Sequence, residues 1–309
     1  MRILKGSARL ADMGPYAVAI GIFDGVHLGH EKLLLAAKRL AAESSDVESL
    51  AYTFHPHPAQ VLASDLAPRM LETVETRLER IGALGVSTAL VERFDREFAT
   101  VSPEQFVRDI LVGKLRVAHI IVGADFTFGH KQAGNVALMQ ALAAELGFVV
   151  HPIPAVKVDG LTVSSSKIRE LVSAGKVSGA ASLLGRPYAM RGRVVRGDGR
   201  GASIGFPTAN VRAENEQLPG LGVYAGRVSA HFTPRPAVIN VGYTPTFGAT
   251  GLKIEAHILD YTGPHLYGSV LSVELIDKLR DEQRFEGVEA LTEQIGRDIK
   301  AARRILDGC

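Results

Sequence analysis

Apolar positions along this chain change their period, and each change marks an element. Residues 16–23, Tyr-Ala-Val-Ala-Ile-Gly-Ile-Phe, form a nearly continuous apolar run, the pattern of a strand buried on both faces. Directly downstream, Leu33, Leu34, Ala37, Leu40 and Ala41 recur at helical spacing. The alternation continues with a strand at 49–54, a helical stretch through Leu78 and Ile81, and a strand at 87–94. Ser102, Pro103 and Gln105 then supply an N-cap, a first-position proline and a capping-box partner. A strand follows at 117–122, a helix from about Asn135 to a stop at Gly147, and a strand at 148–153. Such alternation predicts a parallel sheet covered by helices, with ligands at the carboxyl ends of its strands.

Past residue 185 the texture differs. Short strand-like runs at 188–195, 223–228, 237–241, 252–259 and 270–275 are separated by Gly and Pro turns, which predicts a compact antiparallel barrel. Val288, Leu291, Ile295, Ile299, Ala302 and Leu306 form one helical stripe, a terminal helix packed on that barrel. Gly185-Arg186-Pro187 marks the expected boundary, giving domains of residues 1–185 and 186–309. A length of 309 residues suits two domains, although one large domain also fits.

Composition narrows the class only a little. Hydrophobic content of 46% and charged content of 22% are those of an ordinary globular protein. A net charge of +2 carries no global polyanion signal, so nucleic acid is not expected as a partner and any phosphate site is local. The one cysteine, Cys309, excludes an internal disulfide and fits a reducing compartment. The opening MRILKGSARLADMG lacks the apolar core of a signal peptide, and no apolar run reaches the roughly 18 residues that span a bilayer. The expectation is a soluble, cytoplasmic protein without membrane partners, its oligomeric state open.

The chemistry concentrates in a few strings. GIFDGVHLGH at 21–30 sits between the first long strand and its helix, where unpaired backbone N–H groups and the helix dipole favour phosphate. Gly25 and Gly29 permit close approach of a polyphosphate, and His27 and His30 can donate to charge that builds during phosphoryl attack. Standing alone, two such histidines read equally well as turn caps. Ser164, Ser165 and Ser166 open a helix with Arg169 one turn in, a hydroxyl-rich second phosphate clamp or an ordinary serine cap. Phe54, Pro56, His57 and Pro58 make a rigid, partly aromatic edge; Phe126 and Phe128 flank a loop beside Asp125. The glycine-rich stretch with Gly199, Gly201 and Gly205 precedes Thr208 and Asn210, which an extended segment places on one side. Glu255 and His257 alternate with Ile254, Ala256 and Ile258, so one strand face is partly polar. No GxxxxGK[ST] occurs, which excludes a P-loop kinase.

Taken in order, GIFDGVHLGH, TFHPHP at 53–58, VGADFTFG at 122–129 and VSSSKIR at 163–169 resemble the adenylyltransferase module of the bifunctional riboflavin kinase/FMN adenylyltransferase family. GRPYAMRGRVVRGDGRGASIGFPTAN at 185–210, NVGYTPTFG at 240–248, IEAHILDY at 254–261 and KLRDEQRF at 278–285 resemble its kinase module. The resemblance spans nearly the whole chain. It implies a Rossmann-like nucleotidylyltransferase domain with a parallel sheet, then a six-stranded antiparallel riboflavin kinase-like β-barrel with a terminal helix. The implied substrates are riboflavin, FMN and ATP, with Mg²⁺ as the metal. In this resemblance His27, His30 and Arg169 serve adenylyl transfer, Glu255 is the kinase base, and Thr208 and Asn210 hold Mg²⁺. ATP is implied at Gly21, Phe23, Asp24, Gly25, Gly29, Ser164, Ser165, Ser166, Gly199, Gly205, Thr208 and Asn210. Flavin is implied at Phe54, Pro56, Pro58, Asp125, Phe126, Phe128 and Arg280. Ile22 stands where the family often has Asn, Thr127 where Arg is frequent, and Ser166 where Thr is usual. Two other readings stay open: a flavin-binding sensor that has lost the chemistry, and adenylyl transfer to another phosphorylated acceptor.

Overall fold

In the strand Tyr16–Ile20 all five residues are buried, but the two faces differ in size. Tyr16, Val18 and Ile20 enter one apolar cluster; Ala17 and Ala19 enter another. The small alanine face, continued by Ala51 and Ala89, lets a helix approach closely, and Leu33, Leu34, Ala37 and Leu40 fill it. The larger face is covered by Met139, Leu142 and Ala143. A strand covered on both sides is what parallel pairing requires.

The computed structural model describes residues 1–7, 14–197, 199–243 and 252–307. Asp198, Cys309 and the 244–248 part of the NVGYTPTFG motif lie outside the described residues. Two compact units are present: Met1–Arg69 with Val74–Val163, and Met70–Thr73 with Ser164–Cys309.

In the first unit, β1 (Arg2–Lys5), β2 (Tyr16–Ile20), β3 (Glu48–His55), β4 (Thr88–Arg93), β5 (Val117–Gly123) and β6 (Val149–Ile153) form one sheet. Its order is β1-β4-β3-β2-β5-β6 and every pair is parallel. The helices are α1 (Leu28–Ala41), α2 (Pro58–Leu62), α3 (Val74–Ala83), α4 (Pro103–Gln105) and α5 (Val136–Leu146). Ser102 caps α4 with Gln105 as its capping-box partner, and the helix runs on with π geometry through Phe106–Val112. Asn135 caps α5, which stops at the left-handed Gly147.

The second unit begins with α6 (Ser165–Ser173) and α7 (Val177–Leu184). The strands β7 (Tyr188–Val195), β8 (Ala209–Ala213), β9 (Gly222–Ser229), β10 (Arg235–Tyr243), β11 (Leu252–Ile258) and β12 (Val270–Arg280) close a barrel in the order β7-β8-β11-β10-β9-β12. All its pairs are antiparallel. The short helix α8 (Arg200–Ser203) lies between β7 and β8 in the chain, and α9 (Val288–Asp307) ends the described residues. Ala302 and Leu306 of α9 pack on Val223, Ala225, Val238 and Leu259, outside the barrel. Among the described residues no helix is long and apolar enough to cross a membrane.

Candidate functional site

Between β2 and α1 the chain turns a tight corner in which Phe23 (φ 55°), Gly25 (φ 82°) and Val26 (φ 35°) adopt left-handed backbone. Gly25 does so without steric cost, whereas Phe23 and Val26 must be held there. Burial holds them: Phe23 and Val26 are 0% and 1% exposed, and Asp24 is buried beside them. Gly21 N donates to Tyr52 O at 3.1 Å, and Val26 N donates to Phe23 O at 3.0 Å.

That corner delivers His27 to the N-cap of α1, where its Nδ1 accepts from His30 N at 3.2 Å. An Nδ1 that accepts leaves the proton of the neutral ring on Nε2, which makes Nε2 a donor. The His27 and His30 rings stack with centroids 3.6 Å apart and planes 15° apart. Phe23 meets His30 edge-on at 5.3 Å. A Cβ at Gly29 would lie 3.1 Å from His27 Cε1, so glycine lets the ring lie close to the helix start. His27 therefore caps the helix through one ring nitrogen and carries its N–H on the other.

Beside this corner Phe54 is the penultimate residue of β3, which ends at His55 with the cis peptide His55-Pro56. Pro58 opens α2, and His57 caps it by accepting from Ala59 N at 3.0 Å. Phe54 joins a continuous aromatic group: its ring centroid is 6.2 Å from Phe94 and 6.0 Å from Phe98, and Phe98 reaches Phe106 at 6.4 Å. Phe106 in turn meets Phe128 at 5.8 Å, which stacks with Phe126 at 5.7 Å. Sequence reasoning brought Phe54, Phe126 and Phe128 forward but missed Phe94, Phe98 and Phe106. A signal was available only for Phe94, which directly follows β4 at the carboxyl edge of the sheet; Phe98 and Phe106 lie on helical turns, and their place in the group is decided by packing. Asp125 is exposed at the turn after β5.

In the second unit, Ser164 caps α6 by accepting from Lys167 N at 3.2 Å. Ser165 and Ser166 form the first turn, and Arg169 lies half-buried one turn in.

The barrel assembles a polar row across three strands. Asn210 of β8 pairs with Glu255 of β11, and Glu255 pairs with Asn240 of β10. Directly paired residues project from the same face of a sheet, with Cβ atoms about 5 Å apart. The row continues through Val223 to Arg280. Asn210 is buried, and its Oδ1 has no hydrogen-bond partner among the described residues. The chain at Gly197 passes so close to the Asn210 amide that a Cβ there would clash with it. Gly199 and Gly205 take left-handed φ of 71° and 86° in the intervening loop. His257 Nδ1 lies 2.8 Å from Pro207 O and its ring meets Phe206 at 5.7 Å, tying the turn before Thr208 to β11. Neither Asn240 nor His257 had been singled out from the sequence as a site residue. Lys253 Nζ approaches Glu255 Oε1 at 3.0 Å. Arg280 is gripped by Asp298 of α9, with Nε at 3.0 Å and Nη2 at 2.8 Å from Oδ2, and its guanidinium lies over Phe285. Among the described residues no group of three or more His, Cys, Asp or Glu side chains could hold a metal. The buried Asn210 oxygen and the Thr208 hydroxyl nevertheless fit Mg²⁺ arriving with a triphosphate, because hard neutral oxygens supplement the phosphate ligands.

The model of the family described as FAD synthetase matches residues 11–167, and that described as riboflavin kinase matches residues 184–306. The bifunctional riboflavin kinase/FMN adenylyltransferase of Escherichia coli (strain K12) is 37% identical over 306 residues, covering 98% of this chain and 97% of the relative. The chain belongs to this bifunctional family. The relative of the same name from Bacillus subtilis (strain 168) is 38% identical over 293 residues, covering 93% of this chain and 91% of its own. A solved structure named as a macrolide-efflux protein from Streptococcus pneumoniae superposes with a TM-score of 0.88 at 26% identity, covering 98% and 99% of the two chains. The family carries two ATP-dependent activities on one polypeptide, in line with two matched models and two differently built units.

Proposed function

We propose that the polar row of the barrel phosphorylates riboflavin and that the β2–α1 corner transfers AMP to the FMN produced. The enzyme is a riboflavin kinase and FMN adenylyltransferase; the assignment of residues to each step is our own. The observation that carries it is the pairing of Asn210 with Glu255 and of Glu255 with Asn240, which puts a carboxylate beside an amide oxygen that has no partner among the described residues.

In the kinase step Glu255 accepts the proton of the ribityl 5′-hydroxyl as its oxygen attacks the γ-phosphorus of ATP, and ADP leaves. Thr208 and Asn210 would hold Mg²⁺, which when bound would neutralise charge on the phosphates. Arg280, fixed by Asp298, is the proposed flavin contact. In the adenylyl step an oxygen of the FMN phosphate attacks the α-phosphorus of a second ATP and pyrophosphate leaves. The Nε2–H of His27, the ring of His30 and the first-turn N–H groups of α1 stabilise the charge that develops. Gly21, Phe23, Asp24, Gly25 and Gly29 shape that corner; in the second unit, Ser164, Ser165, Ser166 and Arg169 at the start of α6 are proposed phosphate donors of their own. Phe54, Pro56, Pro58, Phe126 and Phe128 take the flavin ring, with Asp125 as a polar contact. Both reactions are assigned to the cytoplasm and need no nucleic acid. Incubating the chain with riboflavin and Mg-ATP should give FMN and then FAD on a chromatogram. Flavin bound but unconverted would favour the sensor reading.

A further inference from the structure

Arg77 of α3 is only 2% exposed, an unusual site for a guanidinium. Its Nη1 lies 3.4 Å from Thr53 Oγ1 and 3.5 Å from the carbonyl oxygen of Phe54. Thr53, fully buried, donates from Oγ1 to the carbonyl of Ile22 at 2.9 Å. A hydroxyl has one proton and a guanidinium can only donate. Arg77 therefore occupies the accepting side of the Thr53 oxygen and leaves its proton for Ile22. Ile22 precedes the left-handed Phe23, at the entry to the strained corner that carries His27.

From this chain of donors we propose that Thr53 and Arg77 are positioning residues for adenylyl transfer. They act without touching substrate, by fixing the carbonyl from which the corner departs. Strained backbone persists only where its surroundings over-determine it. The Gly21 bond to Tyr52 anchors the strand side, and the Thr53 bond anchors the next residue. Without the second anchor the corner relaxes, and the stacked imidazoles shift relative to the phosphates. The same guanidinium meets the carbonyl of Phe54, so it braces the aromatic edge as well. Ile22 cannot reach across the corner with a polar side chain, which leaves the backbone contact to hold it. The proposal rests on the reading of His27 and His30 as phosphate donors.

Thr53→Val removes the hydroxyl and keeps the side-chain shape. FAD formation from supplied FMN and ATP should lose about 10- to 100-fold in kcat with KM for both substrates nearly unchanged, the pattern of a displaced catalytic group. FMN formation from riboflavin should not change. Thr53→Ser, which restores the hydroxyl, should recover kcat. A folded Thr53→Val enzyme with parental kcat overturns the proposal, and so does an equal loss in the Val and Ser variants, which would mean packing alone. Where the valine variant does not fold, Thr53→Ala is judged against Thr53→Ser by the same criterion. Normal FAD synthesis by a His27→Ala, His30→Ala enzyme would instead overturn the reading of the corner itself, whatever the Thr53 variants do.

Discussion

His27 caps α1 with Nδ1, so its structural use and the proposed chemical one lie on opposite sides of one ring. Substitution can separate them. Asn at position 27 keeps a side-chain acceptor at the N-cap and lacks the Nε2 donor. His27→Asn should melt like the parent yet lose FAD formation, whereas His27→Ala should also lose about 0.5–2 kcal/mol of stability with its cap. With His30→Ala added, FAD formation should vanish while FMN formation persists, since each lost donor costs about 2.7–4 kcal/mol of transition-state stabilisation. Thermal melts together with flavin chromatograms check both halves. Glu255→Gln keeps size and hydrogen bonding but removes the charge. Riboflavin binding should survive, followed by fluorescence, while FMN formation falls by roughly 10²–10⁴. Adenylylation of supplied FMN should stay at the parental rate. Turnover of riboflavin within a few-fold of the parent would make Glu255 a bystander in its row.

The adjacent strands β5 and β6 place His119 Nδ1 and His151 Nε2 3.2 Å apart, on the side of the sheet covered by α1. Burial lowers the His151 pKa below its ordinary 6.5, helped by His119 and by Arg39 of α1, with Glu43 opposing. The unfolded chain therefore takes up this proton before the folded one. The contribution to stability is present above pH 6.5 and is lost as pH falls through that value towards the depressed folded pKa. Melting temperature should decline on acidification in that window, and His151→Gln should flatten the decline. Parallel curves for parent and variant would remove His151 from the account. Element by element, periodicity was informative where burial was one- or two-sided and regular. It missed β1, an exposed strand, and β8, whose approach through Gly205 and Pro207 reads as a turn. Barrel closure recruits β8 regardless, because its pairing to both β7 and β11 removes two open edges.

At the scale of the whole molecule, the segment Met70–Thr73 belongs to the second unit although its flanks belong to the first. Leu71 O accepts from Asn215 Nδ2 at 2.7 Å and from Tyr188 OH at 3.0 Å; Gln217 N donates to Met70 O at 2.9 Å. A fragment of residues 186–309 holds all six barrel strands and α9, so it should form FMN and no FAD. It lacks those acceptors, and leaving a buried donor unmatched costs about 1–3 kcal/mol. The fragment should therefore melt below the intact chain. Extending it to 164–309 should recover part of the loss, because Val177, Ala180, Leu183 and Leu184 of α7 are buried again. Calorimetry on both fragments, with product analysis, tests this. A folded 186–309 that binds Mg-ATP but makes no FMN would move the kinase chemistry elsewhere.

Local patterns in the sequence determined the alternating first half, the barrel-like second half, the helix caps at Ser102, Asn135 and Ser164, and the strings to which phosphate chemistry is proposed to belong. These are properties of neighbours within one turn or one strand, so spacing alone encodes them. Only tertiary structure decided what those strings do to one another. The pairing of Asn210 with Glu255 depends on strand register, and the grip of Asp298 on Arg280 depends on where α9 lies. The recruitment of Leu71 by Tyr188 and the burial of Arg77 behind Thr53 join residues far apart in the chain. Such contacts are made by closing a sheet or a barrel, and no local period records which distant residue the closure will bring into reach.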